Sequence, residues 1–325
     1  MTTATDQRGA VEELLGLLRR LRRELPLRDA LAIFFPPALG YELLQGRRRA
    51  AALPSGDYDP ELPDADLLEP SLALGRWLGQ HYFRVAVHGG ERVPATGPAL
   101  LVGNHSAGLM PVDALFAIDD IRARHGAGRV VHPLVHDFAY QAPRLGRHAR
   151  RFGVLRASRE NAAAAFADDR IVLVYPGGDK DAFRPYGERN RIVLAGRKGF
   201  VRLALAHRVP VIPLVSVGLH ESLVVLTRGE RIAQKLELKR LLRTEVAPLA
   251  LMFPWGLAPA AVPFLPLPTD IEMRFGEPIR LEGEADDEAA LDAGYRRVEA
   301  AMQAILDDLS DGRVPLVGRP PAERP

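Results

Sequence analysis

Two residues whose types and spacing suit acid–base chemistry are His105 and Asp113. They lie in the stretch Leu100-Leu-Val-Gly-Asn-His-Ser-Ala-Gly-Leu-Met-Pro-Val-Asp113. Leu100, Leu101 and Val102 are the apolar run of a buried strand, and Pro111 suits the first turn of a helix, where its missing N–H costs nothing. His105 is therefore expected on the loop leaving a strand, with Asp113 in the first helical turn. Open α/β sheets gather their sites at the carboxyl ends of strands. A carboxylate there can fix an imidazole tautomer, and the other ring nitrogen can then take a proton from a hydroxyl. A structural reading stands beside this one: Asp113 complements a helix dipole and His105 caps a turn.

The elements that must hold such a pair alternate along the chain. Strand patterns occupy 83–88, 98–104, 129–135, 170–175, 209–217 and 270–275. Helical patterns occupy 68–81, 112–124, 158–167, 196–207 and 286–309. This predicts an α/β fold: a mixed, mostly parallel central sheet flanked by helices, with an N-terminal helical segment. Residues 10–25 read as an amphipathic helix with Val11, Leu14, Leu15, Leu18, Leu21 and Leu25 on one side. Residues 27–46 are mostly apolar and break at Pro36-Pro37. These segments are expected either to lie on a membrane or to pack on the main domain. Residues 50–66 read as a linker, so 1–66 form an N-terminal unit, 67–310 the main domain and 311–325 a disordered tail. Residues 246–268 hold no charge and six prolines. They read as an apolar loop, either buried or dipping into a membrane interface with Trp255 at headgroup level.

Composition narrows the classes. A net charge of +2 over 325 residues gives no footprint for nucleic acid. Arginines cluster at 19, 20, 22 and 23, at 47–49, and at 144, 147, 150 and 151, a pattern that suits an anionic lipid surface. The absence of cysteine excludes a thiol nucleophile, disulfides and cysteine zinc sites. The N-terminus carries no secretory pattern, which predicts a cytoplasmic chain. There is no Gly-x-Ser-x-Gly elbow, no phosphate-binding Gly-x-x-x-x-Gly-Lys-Ser/Thr loop and no His-Glu-x-x-His metal pattern.

Four blocks then follow one another: Asn104-His105 with Asp113, Gly153-Val-Leu-Arg-Ala-Ser-Arg159, Tyr175-Pro-Gly-Gly-Asp-Lys-Asp181 and Val209-Pro-Val-Ile-Pro213. In this order, over roughly residues 82–282, they resemble the glycerolipid (lysophosphatidic acid-type) acyltransferase superfamily. The Pro-Gly-Gly form looks most like the branch of monoacylglycerol and diacylglycerol acyltransferase-like proteins and their bacterial relatives. The resemblance implies transfer of a fatty acyl group from acyl-CoA or acyl-ACP, as co-substrate, to a lipid hydroxyl. It implies no metal or bound cofactor. His105 is the implied general base, Asp113 its orienting carboxylate and Arg159 the binder of an acceptor phosphate. A thioester is already activated, so deprotonating the acceptor and stabilising an oxyanion suffice. The Gly177-Gly178 turn, followed by Lys180, is the candidate oxyanion and acceptor loop. The partners implied are a lipid acceptor, the acyl donor and a membrane surface on the inner face of the cell.

The sequence departs from the family pattern in two places. Seven residues separate His105 from Asp113, where four are usual. In the third block, Gly177, Asp179 and Lys180 stand where phosphate-acceptor enzymes carry Glu, Thr and Arg, which favours a neutral or unusual acceptor. His132 and Asp137 have the four-residue spacing but lack the preceding Asn, and His136 with Asp137 is expected to line the cleft. The competing functions are a serine esterase on Ser106 and a lipid-binding protein without catalysis.

Overall fold

The computed structural model describes residues 4–34, 56–105, 108, 112–136, 140, 142–239, 244–260 and 265–319. Expectations that rest on Pro36-Pro37, Arg47 to Arg49, Ser106, Pro111, Asp137 and 320–325 lie outside these residues.

The strands are Val85–His88 (β1), Ala99–Gly103 (β2), Val131–Val135 (β3), Leu155–Arg156 (β4), Ile171–Val174 (β5), Val211–Val217 (β6), Val224–Thr227 (β7), Leu249–Met252 (β8), Gly256–Pro259 (β9) and Ile271–Phe275 (β10). Seven of them form one sheet in the order β1-β10-β6-β2-β5-β3-β4. From β6 to β4 every pairing is parallel, and only β10 against β6 is antiparallel. The expected mixed, mostly parallel sheet is therefore present.

Burial on both faces explains why β2 reads as an unbroken apolar run. Leu100 and Val102 point to one side, among Val172, Phe200, Val201 and Met302. Leu101 points to the other, among Leu72, Phe116, Ile121 and Leu173. The first layer is built by the helices Gly199–His207 and Glu288–Ser310, the second by Ala65–Leu78 and Val112–His125. Asp113 is in the first turn of the last of these, as its spacing predicts.

The N-terminal helix, α1, spans Ala4–Glu24, and Leu27–Phe34 forms α2. The single apolar side expected for α1 is split in two. Leu17 is buried, and the indole of Trp77 donates to the Ala10 carbonyl at 2.9 Å. Val11, Leu15 and Leu18 form a separate stripe that is about half exposed. Arg151 reaches both Glu24 and Asp64, and His148 meets Asp29 at 3.1 Å, so this unit is tied to the main domain. Part of the 144–151 arginine cluster is thus engaged in internal ion pairs.

Three sequence expectations are corrected. The 246–268 loop contains β8 and β9, which form an antiparallel sheet with β7. Its prolines permit this because Pro248 precedes β8, Pro254 lies in the connection and Pro259 ends an edge strand. The segment 311–319, expected in a disordered tail, is held by Arg313, which is buried against Glu221 at 2.9 Å and Glu272 at 3.5 Å. The described part of the linker, 56–64, is docked: Asn161 is fully buried, accepts from the Asp57 N–H at 2.8 Å and donates to its carboxylate at 2.6 Å. Asn161 also donates to the Arg156 carbonyl, and Tyr58 donates to Asp168.

Replacing Asn161 by Ala leaves the partnered groups at Asp57 and Arg156 without their bonds. The expected loss of unfolding free energy is about 2–3 kcal/mol, read by denaturant titration, with faster proteolysis within 56–64. Unchanged cleavage would show that this side chain does not hold the segment.

Candidate active site

The site is assembled where β2, β5 and β6 end together. Asn104 follows β2, and its side chain continues the strand pairing. The amide donates to the Ser216 carbonyl at 2.9 Å and accepts from the Ser216 N–H at 2.8 Å. A buried side chain thus stands in for the next backbone pair of the β2–β6 ladder. His105 comes next, and its backbone is held on both sides. Its N–H donates to Asp181, and its carbonyl lies 3.2 Å from Nε2 of His220.

The ring of His105 packs against Tyr175, with centroids 5.1 Å apart and planes tilted by 50°. Tyr175 follows β5 and lies over the end of β2. This approach requires Gly103, where a Cβ would stand 2.5 Å from the Tyr175 ring. Burial, with the nearby Asp113 charge, pushes the tyrosine hydroxyl well above its ordinary ionisation range. Asp113 is itself buried and accepts from the Ser216 hydroxyl at 3.2 Å. The structure therefore brings His105 and Asp113 to the same tyrosine, whose side chain touches one and senses the other.

Below the histidine lies a buried charge cluster. The helix Gly178–Ala182 carries Asp181, and Arg184 follows it. Both side chains are fully buried, with the guanidinium 3.1 Å from the carboxylate. Arg184 also donates to the Arg191 carbonyl, and its Nε lies 3.1 Å from Nε2 of His220. That imidazole nitrogen cannot accept from the guanidinium and donate to His105 at once. Burial, and then the charge of Arg184, hold His220 well below its ordinary pKa, so it is neutral. Burial raises Asp181 from 3.8 to about 6, opposed by Arg184 and by the His105 N–H.

The other expected residues have separate places. Gly177 and Gly178 stand at the start of the Asp181 helix. The Gly178 N–H donates to the Tyr175 carbonyl at 3.1 Å, so it closes the turn instead of facing an oxyanion. Gly177 is required by packing, since a Cβ there would meet the Val193 carbonyl at 2.0 Å. Lys180 pairs with Glu245 at 2.7 Å and lines a cleft of about 750 Å³ with Gln234, Lys239 and Thr244. Lys180 and Lys239 together lower Glu245 to about 2. Arg159 is exposed in the first turn of the helix Arg159–Ala167, after the Ser158 cap. The strand that precedes it, β4, lies three strand spacings from β2 across the sheet, about 14 Å. His136 is exposed at the end of β3. The competing His132 is a core residue: it is fully buried and contacts the Gly153 carbonyl at 2.7 Å. Tyr175 and Asp181 lay within the third sequence block without an assigned role. Ser216, Arg184 and His220 gave no motif, because the topology alone brings them to His105.

A polar cluster built on a histidine at the carboxyl edge of an α/β sheet can perform proton transfer in a partly desolvated setting. A family model described as Acyltransferase matches residues 84–217, the segment that contains His105, Asp113, Tyr175 and Asp181. An uncharacterized protein of Mycobacterium tuberculosis is 32% identical over 79% of this chain and 69% of its own length. A human protein described as a DGAT1/2-independent enzyme synthesizing storage lipids is 24% identical over 68% of this chain and 60% of its own. The crystal structure of the 1-acyl-sn-glycerophosphate (LPA) acyltransferase PlsC from Thermotoga maritima aligns over 93% of this chain and 98% of that one, at 17% identity and a TM-score of 0.46. The chain belongs to the acyltransferase family.

The Asp181 environment has a testable sign. With its folded pKa raised, the native state binds the proton more tightly than the unfolded chain, so stability falls as pH rises from 3.8 to about 6. The contribution is at most about 3 kcal/mol. Asp181→Asn should remove this part of the pH slope in denaturant titrations. The variant should also be less stable overall, because Arg184 loses its buried counter-charge. A slope identical to the parent's would sink this assignment.

Proposed function

We propose that this protein transfers a fatty acyl group from acyl-CoA or acyl-ACP to a hydroxyl of a glycerolipid or lysophospholipid. The observation that carries the reading is the placement of His105: its backbone is clamped at the end of β2, and its ring faces Tyr175 beside Asp113, within the segment that matches the acyltransferase family. In this mechanism His105 takes the hydroxyl proton of the acceptor as its oxygen attacks the thioester carbonyl. Asp113 orients the imidazole and stabilises its charged form. The tetrahedral intermediate collapses and expels the donor thiolate, which takes up the proton. No enzyme nucleophile is needed, consistent with a chain that has no cysteine.

Arg159 is proposed to meet an anionic group of a substrate at the sheet edge, where a guanidinium offers paired donors. Lys180 is neutralised by Glu245, so its charge gives little pull on a phosphate. That supports an acceptor whose head is neutral. The chain is proposed to act as a peripheral protein on the inner face of the cell membrane. Among the described residues no helix is long and apolar enough to cross a membrane.

The lack of cysteine makes the assay direct, because a thiol reagent reads released coenzyme A without background. Release should depend on an acceptor lipid, and His105→Ala should lower it by about 10²–10⁴-fold. Ser106→Ala should leave acceptor-dependent release near the parent's rate. Release without acceptor that vanishes in Ser106→Ala would establish an esterase instead. Lipid binding with no release would leave only a carrier.

A further inference from the structure

The three-stranded sheet has two unlike faces. Its inner face, with Val225, Ala250 and Met252, is buried on Ala182 and Phe183. A sheet open to water on its outer face ordinarily carries polar residues there. Here the outer face presents Leu226, Leu251 and Leu257, and Phe253, Trp255 and Leu265 continue it at the β8–β9 end, each more than half exposed. Leu251 and Leu257 oppose one another directly across the ladder, and Phe253 is bridged to Leu265. These side chains therefore make one patch and are not scattered singly.

The charge pattern around the patch identifies what covers it. No charged residue occurs from Val246 to Pro268. In the stretch joining β7 to β8 the described residues carry Arg228, Arg231, Lys235 and Lys239 against Glu230, Glu237 and Glu245, and the sequence adds Arg240 and Arg243. Within it, the helix Glu230–Lys235 leaves Ile232 exposed, and Leu236 beyond it is exposed too. An uncharged apolar face with an aromatic tip and a cationic flank matches a bilayer of anionic lipid. Leucines enter the acyl region, Trp255 sits at headgroup level and the cations meet phosphates. We propose that the outer face of β7, β8 and β9 is the surface by which this protein docks on an anionic lipid bilayer.

Docking there places the bilayer beside the site. The inner face rests on Ala182 and Phe183, which directly follow the Asp181 that holds His105. The inference rests on the acyl-transfer reading for its lipid substrate, but binding is measured without turnover. A His105→Ala protein should therefore bind vesicles as the parent does, and loss of catalysis and loss of docking are separate failures.

The test uses the full chain with vesicles of phosphatidylcholine, with and without phosphatidylglycerol. Cosedimentation should be stronger with phosphatidylglycerol, and Leu251→Ser with Leu257→Ser should weaken it by about tenfold or more. Circular dichroism and melting of the double variant should match the parent, since both side chains face outward. Trp255 gives a second readout that needs no variant on the patch. In a Trp77→Phe protein it is the remaining tryptophan, and its emission should shift to the blue on vesicles. Undiminished sedimentation of the double variant, or no spectral shift, would overturn the proposal. So would lipid-independent dimerisation that the double variant abolishes, since a second copy would then occupy the face.

Discussion

The site depends on how the backbone of His105 is clamped. A residue that leaves a strand ordinarily surrenders its hydrogen bonds to solvent. Here Asn104 extends the β2–β6 pairing by a side chain, Asp181 takes the next N–H, and His220 faces the next carbonyl. Three elements distant in sequence thus converge on two consecutive peptide groups. The backbone of the histidine inherits its position from this clamp, and its ring packs on Tyr175.

Holding the clamp in place is expensive in desolvation. Asp181 and Arg184 are both withdrawn from water, and a buried ion pair is seldom a net source of stability. The Arg191 carbonyl takes one of the remaining donors of the guanidinium. The neutrality of His220 follows from its neighbour, because a second cation against Arg184 would be unfavourable. The cluster is better understood as a device for geometry than as a contributor to folding free energy.

The legibility of the sequence tracks how local each signal is. The central strands announced themselves because burial on both faces leaves only apolar residues, as in β2 and β6. Ser158 marked its helix because capping is a three-residue interaction. His105 was legible from its place after a strand. Its anchors Ser216 and His220 were not, because they lie more than a hundred residues away and carry no pattern of their own. The small sheet was hidden for another reason. Prolines at 248, 254 and 259 spoil every strand window around them, yet each falls where a ladder hydrogen bond is not required. The Gly177-Gly178 turn was readable as a turn but not as a packing requirement, since the Val193 carbonyl that fills its space comes from a later segment.

The two close approaches at Gly103 and Gly177 carry an evolutionary consequence. Neither position has room for a methyl group, so drift beside His105 and Asp181 is closed off at both. Arg159 and Lys180 stand in solvent or at a cleft wall, where exchange of one side chain for another disturbs no neighbour's packing. Side chains at the sheet edge and the cleft wall can therefore diversify in this lineage while the surroundings of His105 stay frozen, and a designer can change the one without reopening the other.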